Sequence, residues 1–329
     1  MKNYSLPLLE PEFVCEPCLS FANAVVRANV GDDVRRLTIA QHLNCYYDKN
    51  SLENKFVISV FDHWCVQHKV MQYQSFNLLK ETIKKQNISI KALIKESLLL
   101  DCYVLGSCNR NCFEKVASNL DQVCDFLVFG FDDTQGCFSV CFINISNQFV
   151  VAKILFEDFI TALFDTNDSN IFLTFRRYNR DYVKSLDLNN LVREIKNYLN
   201  STNDRKNYSM EKVYGISAVQ EMALFCVDNS CENKMMAKTC LEKLLLHKKY
   251  MVNRMEYLAE QKIISHRWID KAERIQKNAH QIFALWSEYS IAPNLKLAEQ
   301  LSKLIDQIIL LELDYLPKVL DEISSKVEL

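Results

Sequence analysis

The sequence is poor in glycine and proline, with five of each among 329 residues. Both residue types favour turns, so their scarcity predicts helices and strands joined by short polar loops. The chain also lacks any run of about 18 uncharged apolar residues, the length of a membrane-spanning helix. Its first ten residues contain too short an apolar stretch for a secretory signal. We therefore expect a globular cytoplasmic protein with no membrane partner.

The chain has no excess of charge of either sign, because its formal net charge is -2 and its sequence pI is about 6.3. A protein that binds nucleic acid usually has a positive surface to meet the phosphates. The nearest basic group, Arg176, Arg177 and Arg180 around Tyr178, is too short for this purpose and favours a solvated strand end. We expect no nucleic-acid partner.

The thirteen cysteines are odd in number and irregular in spacing, which favours free thiols over a disulfide framework. Three pairs have the close spacing that raises the question of zinc: Cys15 with Cys18, Cys108 with Cys112, and Cys137 with Cys141. Structural zinc sites need paired knuckles in tight turns, whereas Cys137 and Cys141 fall on one face of a predicted strand. We expect neither a metal nor an organic cofactor.

The chain changes character near residue 204. Before it, short apolar runs alternate with helical segments, which is typical of an α+β domain. Residues 200–208 are polar, and beyond them apolar residues recur at helical spacing: Leu241, Leu244, Met251, Met255 and Leu258. We predict an α+β domain at residues 1–204 and an all-α bundle of four or five helices at residues 205–329.

Residues 123–142 form the clearest pattern in the chain, with two apolar runs separated by a polar turn at residues 132–136. This arrangement predicts a buried β-hairpin. Strands that are apolar on both faces must be covered on both, so the hairpin should lie inside a sheet packed by the early helix. Cys137 and Cys141 should then be buried.

The first of these strands has a small or polar residue, four apolar residues, glycine, an aromatic residue and aspartate. This pattern resembles papain-like domains of the bacteriocin-processing (C39-type) family, most of all the butirosin-biosynthesis acyltransferases of natural-product gene clusters. Residues 153–164 are similar to that family's strand entering a helix, and residues 213–216 to the opening of its C-terminal helical region. The resemblance implies a papain-like N-terminal domain followed by a helical bundle.

The resemblance also implies a nucleophilic thiol near the N-terminus, activated by a histidine on the hairpin strand. Cys15 and Cys18 both suit the nucleophile, because a helix N-terminus favours the thiolate. The histidine position is occupied by Asp125, and carboxylates are weak bases for a thiol. His63 and His68 could supply an imidazole from another direction, although their spacing also suits a surface segment.

Three functions are consistent with these features. The chain could move an acyl group from an acyl or peptidyl carrier-protein thioester to a small-molecule amine or amino acid. It could instead be a catalytically degenerate relative that binds a carrier protein or a biosynthetic intermediate. The third hypothesis is an unrelated interaction protein whose helical bundle docks a partner.

One group of basic residues is predicted to bind a partner: His247, Lys248, Lys249 and Arg254. These residues border the apolar stripe of one predicted helix. They could form a solvated basic face, or a patch that meets an acidic carrier-protein helix and the phosphate of its pantetheine arm.

Overall fold

The computed structural model describes residues 3–11, 14, 17–31, 35, 43–51, 55–58, 70–114, 123–146, 148–181, 186–202, 212–228 and 234–327. The chain divides into two compact units. The sheet unit comprises Met1–Val34 and His63–Val183, and the helical unit comprises Arg35–Asp62 and Lys184–Leu329. The division thus falls near residue 183, not near residue 204, and the helical unit includes an earlier part of the chain.

The helices and strands are named here in chain order. They are β1 (Asn3–Ser5), α1 (Pro17–Val30), β2 (Cys45–Asp48), β3 (Phe56–Ile58), β4 (Met71–Leu79), α2 (Lys80–Lys85), α3 (Ile90–Leu99), β5 (Cys102–Asn109), β6 (Val123–Asp132), β7 (Cys137–Ile143), β8 (Phe149–Leu155), α4 (Phe156–Phe164), β9 (Asn170–Tyr178), α5 (Leu188–Leu199), β10 (Lys212–Tyr214), α6 (Gly215–Asp228), α7 (Lys234–Glu260), α8 (Arg267–Ile291) and α9 (Leu295–Val327). The predicted α+β class is confirmed, with a sheet in the N-terminal part and helices in the C-terminal part.

The sheet unit is built on one antiparallel sheet of seven strands in the order β4-β9-β5-β6-β7-β8, with β1 paired to β6. The hairpin of β6 and β7 lies inside this sheet, between β5 and β8. Cys137 and Cys141 are buried. The predicted central position of the hairpin is therefore confirmed.

Both faces of the hairpin are covered by helices. Side chains alternate along each strand, so neighbouring residues point to opposite faces. Phe126 lies on the face covered by α4, where its ring centroid is 4.9 Å from that of Phe159. Asp125 and Leu127 lie on the opposite face, and α1 packs against β6, β7 and β9. A Cβ atom at Gly130 would lie 2.7 Å from the backbone oxygen of Tyr4, so glycine permits β1 to pair closely with β6.

The helical unit contains α5 to α9 and a small antiparallel sheet in the order β10-β2-β3. Helix α5 packs against α6 and α9 and buries Leu191, Ile195 and Tyr198, which explains why it belongs to this unit. Gly215 has a φ of 59° at the start of α6, and a Cβ atom there would overlap the backbone of Tyr198. Among the described helices, none combines the length and apolar character that a membrane crossing requires.

Candidate functional site

Asp125 and Ser107 form a polar pair on adjacent central strands. They lie directly opposite each other in the antiparallel register of β5 and β6. The Ser107 hydroxyl donates to Asp125 Oδ1 at 2.6 Å, and both residues are partly buried. A short hydrogen bond to a carboxylate fixes the orientation of the acceptor oxygen. Asp125 is therefore held in one position on the sheet surface.

This polar pair lies on the face of the sheet that α1 covers. Leu127 follows Asp125 by two residues and pairs with Cys141, so these side chains share one face. Phe149 of β8 lies on the same face by the register of β7 and β8. Its ring packs edge-on against that of Phe21 in α1, with 6.5 Å between the ring centroids. Asp125 and the helix with the predicted nucleophile thus belong to one side of the sheet.

Of the two candidate nucleophiles, Cys18 and Cys15, only Cys18 belongs to a described helix. Cys18 is the second residue of α1, in the first helical turn after Pro17, although its side chain lies outside the described part of the chain. Cys15 lies outside the described residues altogether. The first helical turn is the place where orphan backbone N–H groups favour a thiolate. The identity of the nucleophile stays a prediction.

The alternative bases, His63 and His68, also lie outside the described residues. No other histidine belongs to the sheet unit, because the remaining four are His42, His247, His266 and His280. The side chain at the position where the resemblance expects an imidazole is therefore a carboxylate bound to a hydroxyl.

A group of thiols lies at the same end of β5 and β6, with Cys108 and Cys124 on the other face. Cys108 and Cys124 are opposite residues in the register, one position beyond Ser107 and Asp125. Burial, followed by hydrogen bonds with the thiols of Cys112 and Cys124, raises the pKa of Cys108 far above its ordinary value. Sequence spacing suggested only the relation of Cys108 to Cys112. Cys124 joins them through strand register, which the sequence does not state.

The prediction that four basic residues of α7 form a partner-binding patch on the surface is wrong. His247, Lys248 and Arg254 are buried, and only Lys249 of the four is exposed. The reason is that α7 packs against α6, α8 and β3 and therefore buries most of its circumference. The sequence pattern suggested a single apolar stripe with polar borders, which would have left these side chains at the surface.

The buried basic residues are held by partners inside the helical unit. Lys248 Nζ lies 2.7 Å from Glu312 Oε1 and donates to the Tyr198 hydroxyl at 3.1 Å. The Tyr198 hydroxyl donates to Glu312 Oε2 at 2.7 Å. His247 Nε2 donates to the backbone oxygen of Leu43 at 2.7 Å. These contacts indicate a structural role for the side chains that the sequence assigned to docking.

Cys45 lies beside this ion pair. Its thiol donates to the backbone oxygen of Gly215 at 3.4 Å. Burial raises the pKa of Cys45 to about 12, while the charge of Lys248 lowers it and that of Glu312 raises it. Arg254 is buried in α7, the helix that also contains Lys248, and burial lowers the pKa of Arg254 to about 10. Cys45 therefore keeps its proton near neutrality, and its thiol is buried away from solvent.

Among the described residues, no group of three or more histidine, cysteine, aspartate or glutamate side chains is arranged to hold a metal ion. Comparison with protein-family models gives no match, and comparison with curated proteins gives none either. The functional argument therefore depends on the geometry of this chain.

Proposed function

We propose that this chain transfers an acyl group from a carrier-protein thioester to an amine, through a papain-like thiol site in the sheet unit. The observation that supports this proposal most is the position of Asp125. Its carboxylate is oriented by Ser107 on the sheet face covered by α1, and Cys18 lies in the first turn of that helix. A helix N-terminus on the same sheet face as an oriented carboxylate is a suitable place for the thiol of such a site.

The chemistry divides into two steps. The thiolate of Cys18 or Cys15 attacks the thioester carbonyl, and the thiol of the donor's pantetheine arm leaves as the new thioester forms. The acceptor amine then attacks this acyl-enzyme, and the amide forms as the enzyme thiol is released. A carboxylate accepts a proton from a thiol poorly, but it can hold the ammonium form of the acceptor, which loses a proton to water before the neutral amine attacks. Asp125 therefore suits positioning of the acceptor in the second step better than activation of the thiol in the first.

A second candidate function follows from the absence of an imidazole at the strand position of Asp125. A thiol without a matched base reacts slowly, so the same fold could bind a carrier protein or a biosynthetic intermediate without turning it over. In that case the chain would serve as an accessory protein of natural-product assembly. The ion-paired position of Lys248 means that either function needs a docking surface other than the basic group on α7.

The test is to incubate the native protein with a small acyl thioester of N-acetylcysteamine and to measure its intact mass. The proposal predicts one acyl group per chain, located on Cys18 or Cys15 by peptide mapping. Replacing the acylated cysteine by alanine should remove the adduct. Cys102→Ala is the matched control, because Cys102 is partly exposed but lies at the start of β5, and it should leave acylation unchanged.

The variant Asp125→His separates the two candidate functions. An imidazole matches a thiol near neutral pH, so this variant should form the acyl-enzyme faster than the parent. Acylation in neither protein, with both folded, would reject the acyl-transfer proposal and leave the accessory function in its place.

A further inference from the structure

Three thiols meet where β5 and β6 end. Cys108 and Cys124 are opposite each other in the antiparallel register, so their side chains point to the same face of the sheet. Cys112 belongs to the short 3₁₀ turn Arg110–Cys112 that follows β5 directly. After burial, the neighbouring thiols of Cys112 and Cys124 are the largest causes of the raised pKa of Cys108. Cys108 is therefore the shared neighbour of the other two.

The turn that contains Cys112 is fixed over this face. Asn109 begins the turn, where its side-chain oxygen accepts from the backbone N–H of Asn111 at 2.9 Å and its amide donates to Asp165 Oδ2 at 2.8 Å. Immediately after the turn, the ring of Phe113 stacks on that of Phe142 with 4.6 Å between centroids. These contacts keep Cys112 close to Cys108 without help from a covalent bond.

The three thiols differ in their access to solvent. Cys108 and Cys124 are buried, whereas Cys112 is partly exposed. Burial and the two neighbouring thiols keep Cys108 protonated, because they raise its pKa. A small oxidant in solution therefore meets Cys112 first, and the buried thiol of Cys108 is its neighbour.

We propose that Cys112 and Cys108 form an oxidation site, at which a hydroperoxide oxidises Cys112 and Cys108 closes a disulfide with it. The sulfur of Cys112 attacks one peroxide oxygen, the O–O bond breaks, and sulfenic acid and an alcohol or water form. The sulfur of Cys108 then attacks that of Cys112, and the hydroxyl leaves with the Cys108 proton as water. Two electrons pass from the two thiols to the peroxide.

Cys124 adds a third thiol to this site, which allows the disulfide to move. Its sulfur can attack Cys108 in the new disulfide, which moves the bond to Cys108 and Cys124 and returns Cys112 to the thiol form. Cys112 could then react with a second oxidant molecule. This proposal does not depend on acyl transfer, because it uses the opposite face of the sheet from Asp125.

The sequence permits a direct test by hydrogen peroxide treatment, tryptic digestion and mass spectrometry. Trypsin places the three thiols in three different peptides, with Cys108 in residues 96–110, Cys112 in residues 111–115 and Cys124 in residues 116–153. We expect the native protein to lose two hydrogen atoms and to give a cross-link between the first two peptides. A cross-link between the first and third should appear later, as the disulfide moves.

Two variants define the outcomes. Cys112→Ser should abolish every cross-link, while Cys124→Ser should keep only the bond between Cys108 and Cys112. Cys102→Ser is the matched control, because Cys102 shares a strand and a tryptic peptide with Cys108 but is not part of the thiol group. That variant should behave as the parent does.

The proposal is overturned if Cys112 proceeds to sulfinic acid with no cross-link in the native protein. It is equally overturned if Cys108 and Cys124 cross-link at the parent rate in Cys112→Ser, since Cys112 would then not receive the oxidant. The time course of the parent protein decides the matter even if a variant fails to fold, because Cys112 must be in the first cross-linked product.

Discussion

The two polar clusters described above, one in each unit, differ in their access to solvent. In the sheet unit, Asp125, Ser107 and Cys112 are only partly buried and stand within reach of solvent. In the helical unit, Lys248 and Glu312 have no exposed surface at all. Reactive chemistry needs access to a substrate, whereas a closed ion pair only holds helices together. The comparison therefore supports the proposal of chemistry in the sheet unit, whereas the cluster of Lys248, Tyr198 and Glu312 stabilises the helical unit.

A buried ion pair is costly to make and more costly to break. Lys248 and Glu312 have lost their hydration, and each compensates the other together with the hydroxyl of Tyr198. Removing one partner leaves the other charge uncompensated in the interior. Removing both avoids that penalty.

The largest effect should come from Lys248→Met. We expect it to lower the free energy of unfolding by about 3–5 kcal/mol, because Glu312 would stay buried without its counter-charge. Urea unfolding followed by circular dichroism measures this change. Lys249→Met is the matched control on the exposed side of the same helix, and it should stay within about 0.5 kcal/mol of the parent.

The double variant Lys248→Met/Glu312→Leu sharpens this prediction. It should be more stable than Lys248→Met alone, because no buried charge is left without a partner. Equal losses in Lys248→Met and Lys249→Met would contradict the structural assignment and return the basic group to a surface role.

A middle-sized effect should appear at alkaline pH. The pKa of Cys45 is raised from 9.0 to about 12 in the folded protein, mainly by burial. Between these values the unfolded chain releases the proton and the folded chain keeps it, so the free energy of unfolding falls as pH rises. One such group contributes a slope of about 1.4 kcal/mol per pH unit.

The variant Cys45→Ala tests this contribution. Urea unfolding at several pH values above 9 should give a shallower decline than the parent, since other buried groups such as Tyr198 and Tyr315 would still contribute. Parallel curves for the two proteins would mean that Cys45 meets solvent in the folded state.

The smallest stability effect should come from Ser107→Ala. It removes one hydrogen bond to Asp125 at a partly buried position, so we expect a loss of about 0.5–1.5 kcal/mol in unfolding free energy. The rate of acyl transfer from the acyl-enzyme to an amine should fall much further, because Asp125 would lose its fixed orientation. A variant that loses stability but transfers at the parent rate would separate Asp125 from the chemistry.

The hairpin could be predicted because two apolar runs separated by a polar turn are a local signal. The edges of the elements are less accessible from sequence: residues 76–79 belong to β4 because of a register with β9 that tertiary pairing sets. The burial of Lys248 could not be predicted, since its partners Tyr198 and Glu312 lie on α5 and α9. The contact of Cys108 with Cys124 likewise depends on register.

Site-resolved alkylation of the native protein by iodoacetamide below about pH 8 tests the central assignment of reactive thiols to the sheet unit. The account predicts that Cys18 or Cys15 is labelled first, that Cys112 follows, and that Cys45, Cys226 and Cys240 stay unlabelled because burial raises each of their pKa values. Labelling of Cys15 and Cys18 no faster than Cys102, or labelling of Cys45 at a similar rate, would contradict it.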